Sequence, residues 1–95
     1  MIVVNKIKVQ NMRGNNVREV PNQFIIDAVE GQYFQSYDSL VAFRPYKAGS
    51  PIVLDNGTWD YSVTTGKYRN IFLDEKKPET EKKIKAGIYK LMDLN

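Results

Sequence analysis

Neither cysteine nor histidine occurs among the 95 residues. Without thiols there is no disulfide framework and no thiolate metal site, so hydrophobic packing must stabilise a chain near the size where small domains often need a staple. Without imidazole there is no Ser-His-Asp or Cys-His arrangement and no His-ligated metal. What remains is carboxylate, lysine and tyrosine chemistry. The eleven acids are scattered, with neither the spacing of a calcium loop nor that of a glycosidase carboxylate pair. Thr65-Gly66-Lys67 has the end of a phosphate-binding loop without its glycine-bearing start. The expectation is a protein that is not an enzyme and takes no cofactor or metal. Long apolar runs are also missing: residues 1–4 are cut short by Asn5 and Lys6, and no stretch is long enough to cross a membrane. A soluble, cytoplasmic protein with no membrane partner is expected.

What is present is an ordinary globular composition, 42% apolar and 12% aromatic, enough for a single domain over residues 1–95. Residues 2–10 alternate as a strand, with Val3, Ile7 and Val9 on one face and Lys6 and Lys8 on the other, followed by a loop at 11–16 around Gly14. Residues 22–29 and 32–37 flank Glu30-Gly31, read as a tight hairpin in which glycine supplies positive φ. A short strand at 40–43 is ended by Pro45. Residues 52–54 and 58–61 enclose Asp55-Asn56-Gly57, a second hairpin signal that puts Trp59 on a strand. Ser62 or Thr64 caps a helix whose apolar stripe is Tyr68, Ile71 and Phe72. Lys77-Pro78-Glu79 opens a second helix that Gly87 closes, and 88–94 is a final strand, with Lys90 guarding a sheet edge. The predicted fold class is α+β: an antiparallel sheet of about four to six strands with two short helices before the last strand packed on one face.

Charge is uneven. Residues 1–63 hold six basic and six acidic side chains, whereas 64–95 hold eight basic and five acidic, so the net +3 resides in the final third. Lys67, Arg69 and Asn70 on the outer side of the first helix, and Lys82, Lys83 and Lys85 on the second, are therefore candidates for a nucleic-acid-binding surface, with Tyr61 or Trp59 available to stack on a base. The competing reading is that acids at helix starts and lysines at helix ends only match the helix dipoles. Tyr33, Tyr37, Tyr46 and Tyr61 are the protein-binding candidates, because amphipathic rings are enriched at interface centres; Trp59, Phe24, Phe34 and Phe72 are read as core. Ser62, Thr64 and Thr65 are read as capping residues and Asp38 as a turn former. An acidic site using Asp38 and Asp60 requires that folding bring them together.

The residues Tyr33-Phe34-Gln35-Ser36-Tyr37-Asp38-Ser39 with Leu40-Val41-Ala42, then Trp59-Asp60-Tyr61-Ser62, Thr64-Thr65-Gly66-Lys67-Tyr68-Arg69-Asn70, Phe72-Leu73 and Asp93-Leu94-Asn95 resemble a family of short uncharacterised proteins of bacteriophages and bacterial mobile elements. The resemblance spans roughly residues 22–95 and leaves residues 3–19 outside. It carries no activity to transfer. It implies action inside a bacterial host cell on host or phage macromolecules. The lack of catalytic residues, with more aromatics than one small core requires, leads to the reading of a non-enzymatic module that binds a host or phage protein, such as a host factor or defence component, through exposed strand edges and the tyrosine-rich hairpin 32–43; nucleic-acid binding by the basic helices of residues 64–90 is the alternative.

Overall fold

The computed structural model describes residues 7–13 and 18–95. In chain order its elements are β1 (Lys8–Arg13), β2 (Glu19–Asp27), β3 (Gly31–Ser36), β4 (Ser39–Pro45), β5 (Val53–Asp55), α1 (Val63–Leu73), α2 (Lys77–Lys85) and β6 (Lys90–Met92). The strands form one sheet in the order β1-β2-β3-β4-β5-β6. Neighbours through β5 are antiparallel, as the hairpin signals predict, whereas β6 lies parallel to β5, so the sheet is mixed. Parallel neighbours need a long crossover between them, and the two helices supply it. The α+β class and the two helices before the last strand are as expected.

α1 lies on the face of the sheet that carries Phe34 and Ser36. Phe72 stacks on Phe34 with ring centroids 5.8 Å apart, and the Ser36 and Thr65 hydroxyls share a buried hydrogen bond of 2.9 Å. Phe34, Val41, Ala42, Leu54, Phe72, Leu73, Tyr89 and Met12 form the core, with Ile84 of α2 and Trp59 packed against it. Val41 is the extra residue of a bulge in β4, between the partners of Phe34 and Gln35.

Several local expectations are corrected. The first strand runs on through Asn11, Met12 and Arg13, and it buries Met12 while Ile7 and Val9 stay exposed; the readings for residues 2–6 and 14–16 lie outside the described residues. Gly31 does not adopt positive φ. It opens β3 opposite Pro45, where a Cβ would collide with the Arg44 carbonyl and come within 2.7 Å of the Phe43 ring. Residues 58–61 form a turn, not a strand. Asp55 causes this: its carboxylate accepts from Gly57 N–H (3.1 Å) and Thr58 Oγ1 (2.8 Å), and its carbonyl takes the Trp59 N–H (3.1 Å), which coils the chain where a hairpin would extend it. Trp59 still reaches the core, but from that turn.

α1 begins where its Ser62 cap predicts, with Ser62 Oγ accepting from Thr65 N–H at 3.1 Å. Its buried residues are Thr65, Gly66, Arg69, Phe72 and Leu73, so Ile71 points outward. A reading that assigns only apolar residues to the inner face misplaces this stripe, because two of its members, Thr65 and Arg69, are polar and hydrogen-bonded inside the protein. α2 matches its dipole, with Glu79 in the first turn and Lys82, Lys83 and Lys85 in the last, whereas α1 has neither an early acid nor a late base and ends on Asp74. Gly87 follows α2 at φ +75°, as its closing role requires.

Candidate functional site

The four tyrosines predicted to bind protein do not form one patch. Tyr37 sits at the turn between β3 and β4, 49% exposed and with φ +53°, a conformation a bulky side chain rarely adopts. Tyr61 precedes the α1 cap at the same end of the molecule, since Ser36 and Thr65 meet there. Tyr46 lies at the opposite end: its N–H donates to the Glu30 carbonyl and its hydroxyl to Asp27 Oδ1. Tyr33 lies within the sheet, its hydroxyl donating to Glu30 Oε1 at 2.9 Å; burial, with that bond to a carboxylate, raises its pKa.

Tyr33 belongs instead to a surface built by strand register. On the face opposite α1, Val9 pairs with Ile26, Ile26 with Tyr33, Tyr33 with Phe43, and Phe43 with Val53. A second row runs Asn11, Phe24, Gln35, Leu40. Tyr33 and Phe43 stack at 4.5 Å. Side chains alternate between faces along a strand, so these residues share the face that the helices leave uncovered. Phe24, read as core, is one of them and is half-buried. Aromatic and aliphatic side chains with two amides make up both rows, and neither row holds an acid.

The basic candidates are divided as well. Arg69 is not on the outer side of α1: it is 1% exposed, its Nη1 donating to the Trp59 carbonyl (2.6 Å) and Asp60 Oδ1 (3.2 Å), and its Nη2 to Asn70 Oδ1 (2.9 Å). Its guanidinium faces the Trp59 ring at 5.4 Å. Lys77 closes on the other oxygen of Asp60 at 2.6 Å. Around this pair opens a cleft of about 620 Å³ lined by Asp60 to Val63, Gly66, Lys67, Arg69, Asn70 and Lys77. Burial raises the Asp60 pKa, but hydrogen bonds from Lys77 and Arg69 outweigh it and hold the carboxyl below its ordinary range. Lys83 belongs to a separate knot: Glu75 accepts from Lys83 Nζ (2.6 Å), Thr80 Oγ1 (2.6 Å) and the Tyr89 hydroxyl (2.8 Å). Lys82 and Lys85 are exposed in the last turn of α2, far along the helix from Lys77.

For carboxylate chemistry the geometry offers little. Asp38 is exposed at the Tyr37 turn, while Asp60 is held by two cations. Among the described residues no group of three or more acids could hold a metal ion, and no helix is long and apolar enough to cross a membrane.

A family model described as a family of unknown function, DUF8033, matches residues 7–87. The chain belongs to this family. No curated protein and no solved structure matches it. The DUF8033 match takes in β1, which the resemblance over residues 22–95 left out.

Two features of this DUF8033 chain escaped sequence reasoning. Lys77 was read only as a helix start, although it completes the cleft. The uncovered face was missed because its nine members come from five strands, and only cross-strand register reveals the rows. The alternation of Tyr33 with Phe34 and of Phe24 with Ile25 was the available signal; which of the two faces the helices would cover was not.

Proposed function

We propose that this protein is a non-enzymatic interaction module that engages a protein partner through the uncovered face of its sheet. The observation that carries the reading is the row Val9, Ile26, Tyr33, Phe43 and Val53, apolar across five strands and without a second layer among the described residues. Contiguous apolar surface of this kind is rare on a protein that acts alone. Its stacked tyrosine and phenylalanine supply the rigid aromatic anchors on which interface energy concentrates. The absence of acids from both rows suits protein packing better than a charged ligand. The resemblance to proteins of phages and mobile elements supports a setting in the bacterial cytoplasm, with a host or phage protein as partner.

The test introduces charge into the row where side chains are half-exposed. Ile26→Lys with Val53→Lys should preserve the circular dichroism spectrum and abolish co-elution with the partner that the wild-type protein retains on size-exclusion chromatography. A Lys67→Glu variant, altered in the cleft, should retain that partner. Equal retention by the charged-row variant rejects the reading.

A further inference from the structure

The cleft beside α1 is independent of the sheet face, and its chemistry is the opposite. Three cations, Lys67, Arg69 and Lys77, meet one carboxylate, Asp60. Asp60 is shared between Arg69 and Lys77, and Lys67 makes no ion pair among the described residues, its Nζ lying 5.4 Å from the Tyr68 ring centroid. A surplus of two positive charges therefore lines a concave surface. Arg69 sharpens the imbalance. A guanidinium has five N–H donors; this buried one makes three hydrogen bonds, and its Nε N–H has no partner among the described residues. A buried cation that shares its only counter-charge is costly, and a bound anion offsets that cost.

The remaining groups are donors too. Asn70 gives its Oδ1 to Arg69, which leaves its amide N–H₂ to donate. Ser62 Oγ accepts from Thr65 N–H and keeps its own proton to donate. Gly66 N–H is bonded to the Ser62 carbonyl, and the Val63 and Thr64 amides of the first turn, which have no partner among the described residues, add the positive end of the helix dipole. Donor-rich and acceptor-poor, the cleft suits an oxyanion. Tyr61, 52% exposed on the same wall, offers a ring face beside it. We infer that this cleft binds a nucleotide, its phosphate held by Lys67, Lys77 and Asn70 and its base against Tyr61. The phosphate belongs either to a free mononucleotide or to a single-stranded chain, and both present the same chemistry.

Titrations of the full chain at low salt with inorganic phosphate, adenosine monophosphate and a short single-stranded oligonucleotide, followed by amide NMR shifts, test this. Shifts should centre on Val63, Lys67 and Asn70. Lys67→Glu should weaken nucleotide binding by about tenfold, as the loss of a charge-assisted hydrogen bond implies, with an unchanged far-ultraviolet spectrum. Tyr61→Ala should weaken nucleotide but not inorganic phosphate. For the oligonucleotide, Lys67→Gln should reduce the slope of log affinity against log salt by about one. Tighter binding of the strand than of the mononucleotide identifies nucleic acid as the source, and equal binding a free nucleotide; either supports the inference. Absence of binding by both nucleotides at millimolar concentration, or binding insensitive to Lys67→Glu, overturns it.

Discussion

At the scale of single residues, Asp74 and Tyr37 both hold positive φ. Asp74 ends α1 in the left-handed region at φ 55° and ψ 47°, and it places an acid at the negative end of the helix dipole. Asp74→Gly removes both penalties and should raise stability by about 1 kcal/mol, read as a melting-temperature rise of about 4–8 °C. Tyr37 is the other case. The turn holds it there through the backbone, its N–H donating to the Asn22 carbonyl (2.7 Å) and its carbonyl accepting from Gln35 Nε2 (2.7 Å), while the side chain stays 49% exposed. Positive φ at tyrosine could not be read from Ser36-Tyr37-Asp38-Ser39, because the usual residue for such a turn is glycine or asparagine.

Among the elements, the β3–β4 hairpin bears both the crowding that requires glycine and the stacked pair of the open face. Gly31 is tightly enclosed by Arg44, Phe43 and Pro45, with backbone atoms among its nearest neighbours. Gly31→Ala should therefore cost about 2–3 kcal/mol, within the range of overpacked cores, whereas Gly57→Ala, where the nearest atom lies at 3.6 Å, should cost far less; chemical denaturation of the two variants measures the difference. Element existence was largely legible: β2, β3, β4, both helices and the final strand appear where periodicity and punctuation place them. The failures share a cause. The hairpin read at Asn56-Gly57 gave way to the Asp55 turn, and the stripe read at Tyr68-Ile71-Phe72 gave way to one containing Thr65 and Arg69. In each instance a polar side chain found partners inside the protein, Asp55 within its own turn and Thr65 and Arg69 on other segments, and a pattern that treats polar residues as solvent-facing cannot anticipate that. The candidate cleft was half legible for the same reason: Lys67 and Asn70 were identified, Arg69 was put on the wrong side of its helix, and Lys77 joined through tertiary contact alone.

For the molecule as a whole, three carboxylates act as fastenings. Asp55, 3% exposed, draws together the 57–58 turn and the Leu94 N–H; Asp60 ties α1 to α2; Glu75 ties the end of α1 to Lys83 and Tyr89. Burial opposes ionisation at all three, yet hydrogen bonds and cations outweigh it, and each pKa lies below its ordinary value. A depressed folded pKa contributes stability that is complete above the unfolded value, about 3.9 for Asp and 4.3 for Glu, and is lost as pH falls through the folded one. Thermal melting should accordingly be flat from pH 5 to 7 and fall steeply below about pH 4. Asp55→Asn should lower stability by about 2 kcal/mol at pH 7, the scale of a charged hydrogen-bonded group, and make the acid limb shallower. An acid limb as steep as that of the wild type would remove Asp55 from this role.

The parallel placement of β6 fixes an order of assembly. While a ribosome delivers the chain, the five antiparallel strands can zip by local turns, but the outer border of β5 has no mate until both helices have emerged and docked. For that interval the nascent sheet presents a bare rim as well as an uncovered apolar face, and a neighbouring nascent chain or a chaperone meets it before its own last strand does.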